Sequence, residues 1–224
     1  MTATAVEAIT AVLFDWDGTL IDSRAALLAA WHESTEQVLG RRYPATAAEE
    51  REAFTLPGAV IWPRLAANEA QLAALRAGFQ EVYERSGGLV RAVPGIADAL
   101  AELREAHVAI GVVTSKARRR YVLDARGAAL EDLVDVAICA EDAAATKPDP
   151  RPVVAALELL DTDAPSALLV GDTVVDVAAG VAAGTAVAGV LWGACSEAEL
   201  RQAGATAVLA EPRDLLTLVL RSEP

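Results

Sequence analysis

The stretch Ala11–Leu20, AVLFDWDGTL, carries four apolar residues into two aspartates two positions apart, then into a glycine and a threonine. A short unbroken apolar run that ends in turn residues reads as a strand buried on both faces of a parallel sheet. With Ala11–Asp15 as the first, five more such runs follow: Val108–Thr114, Asp135–Ala140, Ala167–Gly171, Ala186–Leu191 and Thr206–Leu209. Helical patterns lie between and after them, over Gly95–Ala106, Arg118–Arg126, Pro152–Leu160, Val174–Ala183, Glu197–Ala203 and Pro212–Arg221. Strands alternating with helices predict an α/β fold with a doubly wound, Rossmann-like parallel sheet.

Residues 22–88 break this alternation. They hold no convincing strand, and helices are expected over Ser23–Leu39, Ala59–Ala67 and Asn68–Arg85. Asp22 or Ser23 is the expected N-cap of the first, Pro57-Gly58 marks a turn, and Ser86-Gly87-Gly88 the return. The predicted organisation is an α/β core from residues 1–21 and 89–224 with an inserted all-helical cap, residues 22–88.

The bulk properties limit the function classes. A chain of 224 residues fits one large domain or a domain with a modest insert. At 54% hydrophobic but 4% aromatic, its core must be mainly aliphatic. The formal charge of −13 repels phosphate backbones and anionic membranes, so neither a nucleic acid nor a membrane is expected as partner. The N-terminus, MTATAVEAIT, has no basic segment before its first apolar stretch, and no run approaches a membrane span; the expected location is cytoplasmic. Cys139 and Cys195 read as small buried apolar residues. No heptad specifies an assembly, leaving a monomer or a homodimer. Seventeen arginines accompany two lysines, Lys116 and Lys147. A compact ammonium fits where a guanidinium does not, which draws attention to both survivors.

In an open parallel sheet, ligands bind outside the carboxyl ends of the strands. The polar residues there form a coherent set: Asp15 and Asp17 after the first strand, Thr114-Ser115-Lys116 after the second, Thr146-Lys147-Pro148 after the third, and Gly171-Asp172-Thr173 after the fourth, with Asp176 one helical turn on. Carboxylate oxygens suit magnesium, and no His or Cys set favours zinc. A threonine hydroxyl and a lysine charge are groups that hold and neutralise a phosphoryl group.

The motifs FDWDGTL, TSK, KPDP and GDTVVD, in that order, resemble those of the haloacid dehalogenase superfamily, in its phosphoglycolate-phosphatase-like branch with a helical cap. The resemblance implies a Mg2+-dependent phosphatase acting on a small phosphorylated metabolite, a phosphate monoester. Asp15 would attack phosphorus to give an aspartyl-phosphate. Asp17 would protonate the leaving oxygen and then deprotonate water, touching the metal through its backbone carbonyl. Asp15 and Asp172 would ligate the metal directly; Asp176 would ligate it or hold a metal-bound water. Thr114, the Ser115 amide and Lys147 would bind the phosphoryl oxygens. The acid at position 17 argues against a dehalogenase. The lack of any lysine between Asp17 and Lys116 argues against a phosphonoacetaldehyde hydrolase. Leu27 stands where a β-phosphoglucomutase carries a histidine, so hydrolysis is favoured over the mutase alternative. Phosphoglycolate, a sugar phosphate, a nucleoside monophosphate and pyrophosphate all remain open as substrates. A catalytically silent binding protein is the non-enzyme alternative, although no motif residue is missing.

Other residues receive simpler readings. Thr19 shapes the turn, and Asp172 doubles as an N-cap. Lys116 lies near the strand ends without belonging to a motif, with a solvated surface as its plain reading. His32 and His107 are ordinary, and Arg118-Arg119-Arg120 is a solvated helix face. Trp62 and Arg64 are candidates for substrate contact, each read first as structural.

Overall fold

The computed structural model describes residues 8–56 and 58–220. Pro57, Arg221 at the end of the last expected helix, and the first seven residues, with most of the N-terminal segment read above, lie outside the described residues. Strand β1 (Ala11–Phe14) is followed by β2 (Ile21–Asp22) and four helices, α1 (Arg24–Leu39), α2 (Ala47–Thr55), α3 (Gly58–Leu65) and α4 (Glu69–Arg85). Strand β3 (Arg91–Ala92) then leads into α5 (Ile96–Glu105), β4 (Ala109–Val113), α6 (Arg118–Gly127) and β5 (Val136–Ile138). The chain ends through α7 (Arg151–Leu159), β6 (Ala167–Gly171), α8 (Val174–Ala183), β7 (Ala186–Val190), α9 (Glu197–Ala203), β8 (Ala207–Leu209) and α10 (Asp214–Leu220).

Six strands form a parallel sheet in the order β5-β4-β1-β6-β7-β8. This is the α/β, doubly wound Rossmann-like arrangement expected from the alternation. β1 lies at its centre, with Ala11 opposite Ala109 on one side and Ala167 on the other. Every side chain of β1 is fully buried, which is why its run is continuously apolar. The chain winds outward from β1 through β4 and β5, then crosses back to β6. The crevice of such a sheet therefore opens at the carboxyl end of β1.

Two features of the insert differ from the sequence reading. β2 and β3 pair antiparallel, Ile21 with Ala92 and Asp22 with Arg91, so the chain leaves and re-enters the core through one short ribbon. Two-residue strands are too short to carry a periodicity. Helix α2 was also not anticipated; its start is fixed by a capping box, in which the Thr46 hydroxyl accepts from Glu49 N and the Glu49 carboxylate accepts from Thr46 N. At α1, Ser23 occupies the N-cap position without a side-chain capping bond, and Asp22 Oδ1 accepts from Arg24 N at 3.1 Å. α1 and α4 pack closely where a Cβ added to Gly78 would stand 3.4 Å from Ser34 Cβ. Six of the chain's ten aromatic residues belong to the insert, and Trp31, Tyr43, Trp62, Phe79 and Tyr83 are linked in a chain of ring contacts. The sheet core is mainly aliphatic, as expected, with Phe14, Trp16 and Tyr121 as its buried aromatics; most of the aromatic material lies in the insert. Both cysteines are buried and unpaired. Among the described residues, no helix is long and apolar enough to cross a membrane.

Candidate active site

The carboxyl ends of β1, β4 and β6 and the loop before α7 face the insert across a cavity of about 940 Å3. Asp15, Asp17, Thr114, Ser115, Lys147, Asp172 and Asp176, all singled out in the sequence, line it. Their placement follows from the backbone. β1 ends as Asp15 N donates to Val170 O, and the chain then turns sharply: Trp16 O accepts from the amides of Leu20 and Ile21, and Gly18 N donates to Ile21 O. Gly18 has a φ of +83°, and a Cβ there would stand 2.4 Å from Asp172 Oδ2. Glycine thus satisfies both the left-handed backbone and the close approach of the two loops. The Thr19 hydroxyl donates to Asp172 Oδ1 at 3.4 Å, and Trp192 Nε1 donates to Thr19 O at 3.0 Å. Thr19 therefore ties the turn to the fourth strand-end loop as well as shaping it.

Lys147 is the hub of the acidic cluster. Its ammonium lies 2.5 Å from Asp15 Oδ1 and 2.6 Å from Asp176 Oδ1, with all three side chains nearly excluded from solvent. Thr173, not Asp172, is the N-cap of α8: its amide and hydroxyl donate to Asp176 Oδ2 and its hydroxyl accepts from Asp176 N, completing a capping box. Asp176 therefore uses one oxygen for the helix and the other for Lys147. Asp172 accepts from Ala194 N at 2.9 Å.

Burial is the largest influence on these charges. It pushes Asp15 up to about 7, aided by the charges of Asp176 and Asp17 and opposed by Lys147. Burial likewise raises Asp172 well above the carboxylate range, with Asp15 and Asp176 adding to the rise. For Lys147 burial works against the charge, but the two aspartates outweigh it and hold the ammonium above its usual range. Asp15, Asp172 and Asp176 each offer an oxygen within 4.8 Å of the others. Three buried, mutually repelling oxygen donors with one ammonium fit a hard divalent cation, whose charge would favour the ionised forms of Asp15 and Asp172. The Asp17 carboxylate is not among these donors.

Asp17 instead belongs to a second buried network. Its Oδ1 accepts from Lys116 Nζ at 2.7 Å and from the Ser23 hydroxyl. Ser23 thus turns toward Asp17 rather than capping α1. The Lys116 ammonium also donates to Tyr83 Oη at 2.7 Å and to Asp124, and Tyr83 Oη donates to Asp124 Oδ2 at 2.9 Å. Three partners satisfy its three donors. Its side chain is 3% exposed, so the solvated-surface reading of Lys116 is incorrect. Burial, then the Asp17 and Asp124 charges, raise the Tyr83 phenol above its ordinary range. No local pattern marks Ser23, Tyr83 and Asp124 as site residues, because the network joins three distant segments, 17–23, 83 and 116–124. The arginine run is not one solvated face: Arg118 pairs with Asp142 and Arg119 with Glu84, but Arg120 lines the cavity. Of the two insert candidates, Trp62 lines the cavity, stacked on Trp31 with ring centroids 4.1 Å apart. Arg64 does not line it and pairs with Glu52. Neither histidine lines it, and His32 Nε2 is hydrogen-bonded to Pro44 O at 2.9 Å.

The chain is similar to known proteins along nearly its whole length. It is 30% identical over 213 residues to a Bacillus pumilus (strain SAFR-032) protein named pyrophosphatase PpaX, covering 94% of this chain and 96% of the relative. A Lactobacillus plantarum structure provisionally assigned as a phosphoglycolate phosphatase superposes with a TM-score of 0.84 at 25% identity, over 94% of this chain and 99% of the other. A hydrolase structure from Pseudomonas syringae gives a TM-score of 0.81 at 25% identity, over 95% and 98%. The family model for haloacid dehalogenase-like hydrolases matches residues 12–190, from β1 through β7, and this chain belongs to that family of enzymes.

Proposed function

We propose that the chain is a magnesium-dependent phosphatase that hydrolyses a small phosphorylated metabolite through a phosphoryl group carried on Asp15. The observation that carries this reading is Lys147 bridging Asp15 and Asp176 beside the third oxygen donor, Asp172, at the crevice of the sheet. A carboxylate attacking an anionic phosphate needs positive charge nearby, and Lys147 supplies one unit of it. Magnesium held by Asp15, Asp172 and Asp176, with the Asp17 backbone carbonyl, would supply the remaining charge to the phosphoryl oxygens.

An Asp15 oxygen bonds to phosphorus as the bond to the leaving oxygen breaks, and the leaving oxygen takes its electron pair and the proton of Asp17. Water then attacks the aspartyl-phosphate, Asp17 takes the water proton, and Asp15 is freed with inorganic phosphate. Thr114 and the Ser115 amide hold the phosphoryl oxygens. Lys116 and Ser23 fix the Asp17 carboxylate at the cavity wall. The insert acts as a cap that limits the substrate to small molecules, and the location proposed is the cytoplasm.

A monoester is the first substrate proposed. Pyrophosphate is a second, favoured by the likeness to the protein named pyrophosphatase PpaX. The test is phosphate release with magnesium from phosphoglycolate, a hexose phosphate, a nucleoside monophosphate, pyrophosphate and p-nitrophenyl phosphate, with Asp15→Asn as control. Release by the wild type and none by the variant is expected. No release from any compound, together with no magnesium binding, overturns the reading in favour of a silent binding protein. Phosphate moved to a second hydroxyl in the presence of a bisphosphate favours a mutase.

A further inference from the structure

Three arginines line the cavity, and they differ in their partners. Arg24 is paired with Glu50. Arg76 and Arg120 have no carboxylate partner among the described residues, on a chain with 32 acidic residues against 19 basic ones. Arg120 is the last of three consecutive arginines at the start of α6. Its two neighbours are engaged with Asp142 and Glu84, whereas its guanidinium lies over aromatic rings, 5.4 Å from the Phe79 centroid and 5.6 Å from that of Tyr83. Its Nε is buried with no hydrogen-bond acceptor. A buried guanidinium nitrogen without a partner costs stability unless a ligand supplies the acceptor.

The surroundings make this group suited to an anion. Contact with ring faces holds a guanidinium while leaving its in-plane donors available for a bidentate partner. Arg76 precedes Phe79 by three residues on α4, so the two share a helix face, and Arg120 stands over that same phenyl ring. The lysines cannot serve here: Lys147 is held by Asp15 and Asp176, and Lys116 by Asp17 and Asp124. Among the residues that line the cavity, the positive charge not already matched by a carboxylate therefore belongs to Arg76 on the insert and Arg120 on α6.

We infer that Arg120, with Arg76, forms a second anion subsite for the leaving side of the substrate, selecting phosphoryl donors whose leaving group carries its own phosphate or carboxylate. This rests on the phosphatase reading for its catalytic meaning. The anion has two possible bearers, a phosphate as in pyrophosphate or a carboxylate as in phosphoglycolate; the chemistry recognised is the same.

The test compares kcat/KM of the magnesium-loaded wild type, Arg120→Gln, Arg120→Lys and Arg76→Gln on pyrophosphate, phosphoglycolate and p-nitrophenyl phosphate, whose leaving group has no anion of its own beyond the reacting oxygen. Loss of a charged hydrogen-bonding partner predicts a drop of about 10- to 100-fold for Arg120→Gln on an anionic leaving group, with p-nitrophenyl phosphate changed less than threefold and Arg120→Lys recovering part of the loss. The compound with the larger drop identifies the source of the second anion. Equal losses on all three compounds, or none, overturn the inference. A second measurement is independent of turnover: calorimetric titration of methylenediphosphonate, phosphonoacetate and methylphosphonate into the magnesium-loaded proteins. Arg120→Gln should weaken one of the two double-headed ligands by at least tenfold and leave methylphosphonate unchanged. Unchanged binding of both double-headed ligands overturns the subsite, even where the wild type releases phosphate. If the binding difference holds and no compound is hydrolysed, the phosphatase reading fails and the subsite stands.

Discussion

Replacing Lys116 with methionine removes an ammonium while filling the space of its buried stem. The side chains of Lys116 and Asp124 are 3% and 2% exposed, so the variant leaves a carboxylate deep in the protein with Tyr83 Oη as its remaining partner. Removing one member of a buried ion pair costs about 3–5 kcal/mol. The retained phenol bond places the expected loss near the lower end, about 3 kcal/mol. Asp17 is less sensitive, because its side chain is 27% exposed and keeps the Ser23 hydroxyl. Asp124→Asn alone leaves the ammonium with Asp17 and Tyr83 and should cost about 1–2 kcal/mol. In Lys116→Met/Asp124→Asn no buried charge is left unpaired, and stability should return to within about 1 kcal/mol of the wild type. Urea unfolding at neutral pH measures all four proteins. With a slope of about 2 kcal/mol/M, the single lysine variant should unfold about 1.5 M earlier. A double variant as unstable as Lys116→Met, or a Lys116→Met loss below about 1 kcal/mol, would refute the argument that the buried Asp124 carboxylate depends on this ammonium. The double variant also separates stability from chemistry: it should remain slow in phosphate release, because Asp17 has lost its cation.

Asp15→Asn should lower phosphate release by more than about a thousandfold. It should lower the melting temperature of the metal-free protein little, because burial already disfavours the charge it removes and Lys147 keeps Asp176 as its partner; a fall as large as that of Lys116→Met would contradict this. The pH dependence has a definite sign. Asp15 is raised to about 7 from 3.8, so between these values the folded metal-free protein holds a proton that the unfolded chain has lost, and stability falls as pH rises. Asp172 is shifted in the same direction. Melting curves in chelator should therefore move to lower temperature from pH 5 to pH 8, magnesium should stabilise more at pH 8, and its binding near pH 6.5 should release protons into the buffer. A rise in metal-free stability over that range would count against the assignment. Gly193→Ala would place a Cβ 2.1 Å from Asp172 Cβ and must displace the carboxylate or its loop. Magnesium affinity should drop by about tenfold or more, and a calorimetric Kd within twofold of the wild type would show that the loop adapts.

The sheet was legible because its strands are buried on both faces and therefore unbroken in apolar character, while the acids and lysine of the site sit at their ends. The limits of legibility are equally physical. β2 and β3 are two residues each. The start of α2 was marked by Thr46 and Glu49, a signal in the sequence that the weak apolar pattern of its nine residues obscured. The Lys116 network assembles residues 17, 23, 83, 116 and 124 through tertiary packing alone. The arginine run is divided by helix geometry: successive residues project about 100° apart, so its three side chains fan over about 200° of the helix surface. Arg118 and Arg119 reach Asp142 and Glu84, and Arg120 lines the cavity.

The ribbon of β2 and β3 brings the two ends of the insert side by side, Ile21 opposite Ala92. A short turn would span those strands directly, so the insert has the build of a detachable module, exchangeable without disturbing the register of the main sheet. Tyr83 qualifies that independence. Its hydroxyl crosses from the insert to the ammonium that holds Asp17, and any replacement that brought a different reach for substrates would also have to bring a polar group to that point. On the proposed mechanism, the reach of the insert over the cavity and the setting of Asp17 therefore meet at one phenol.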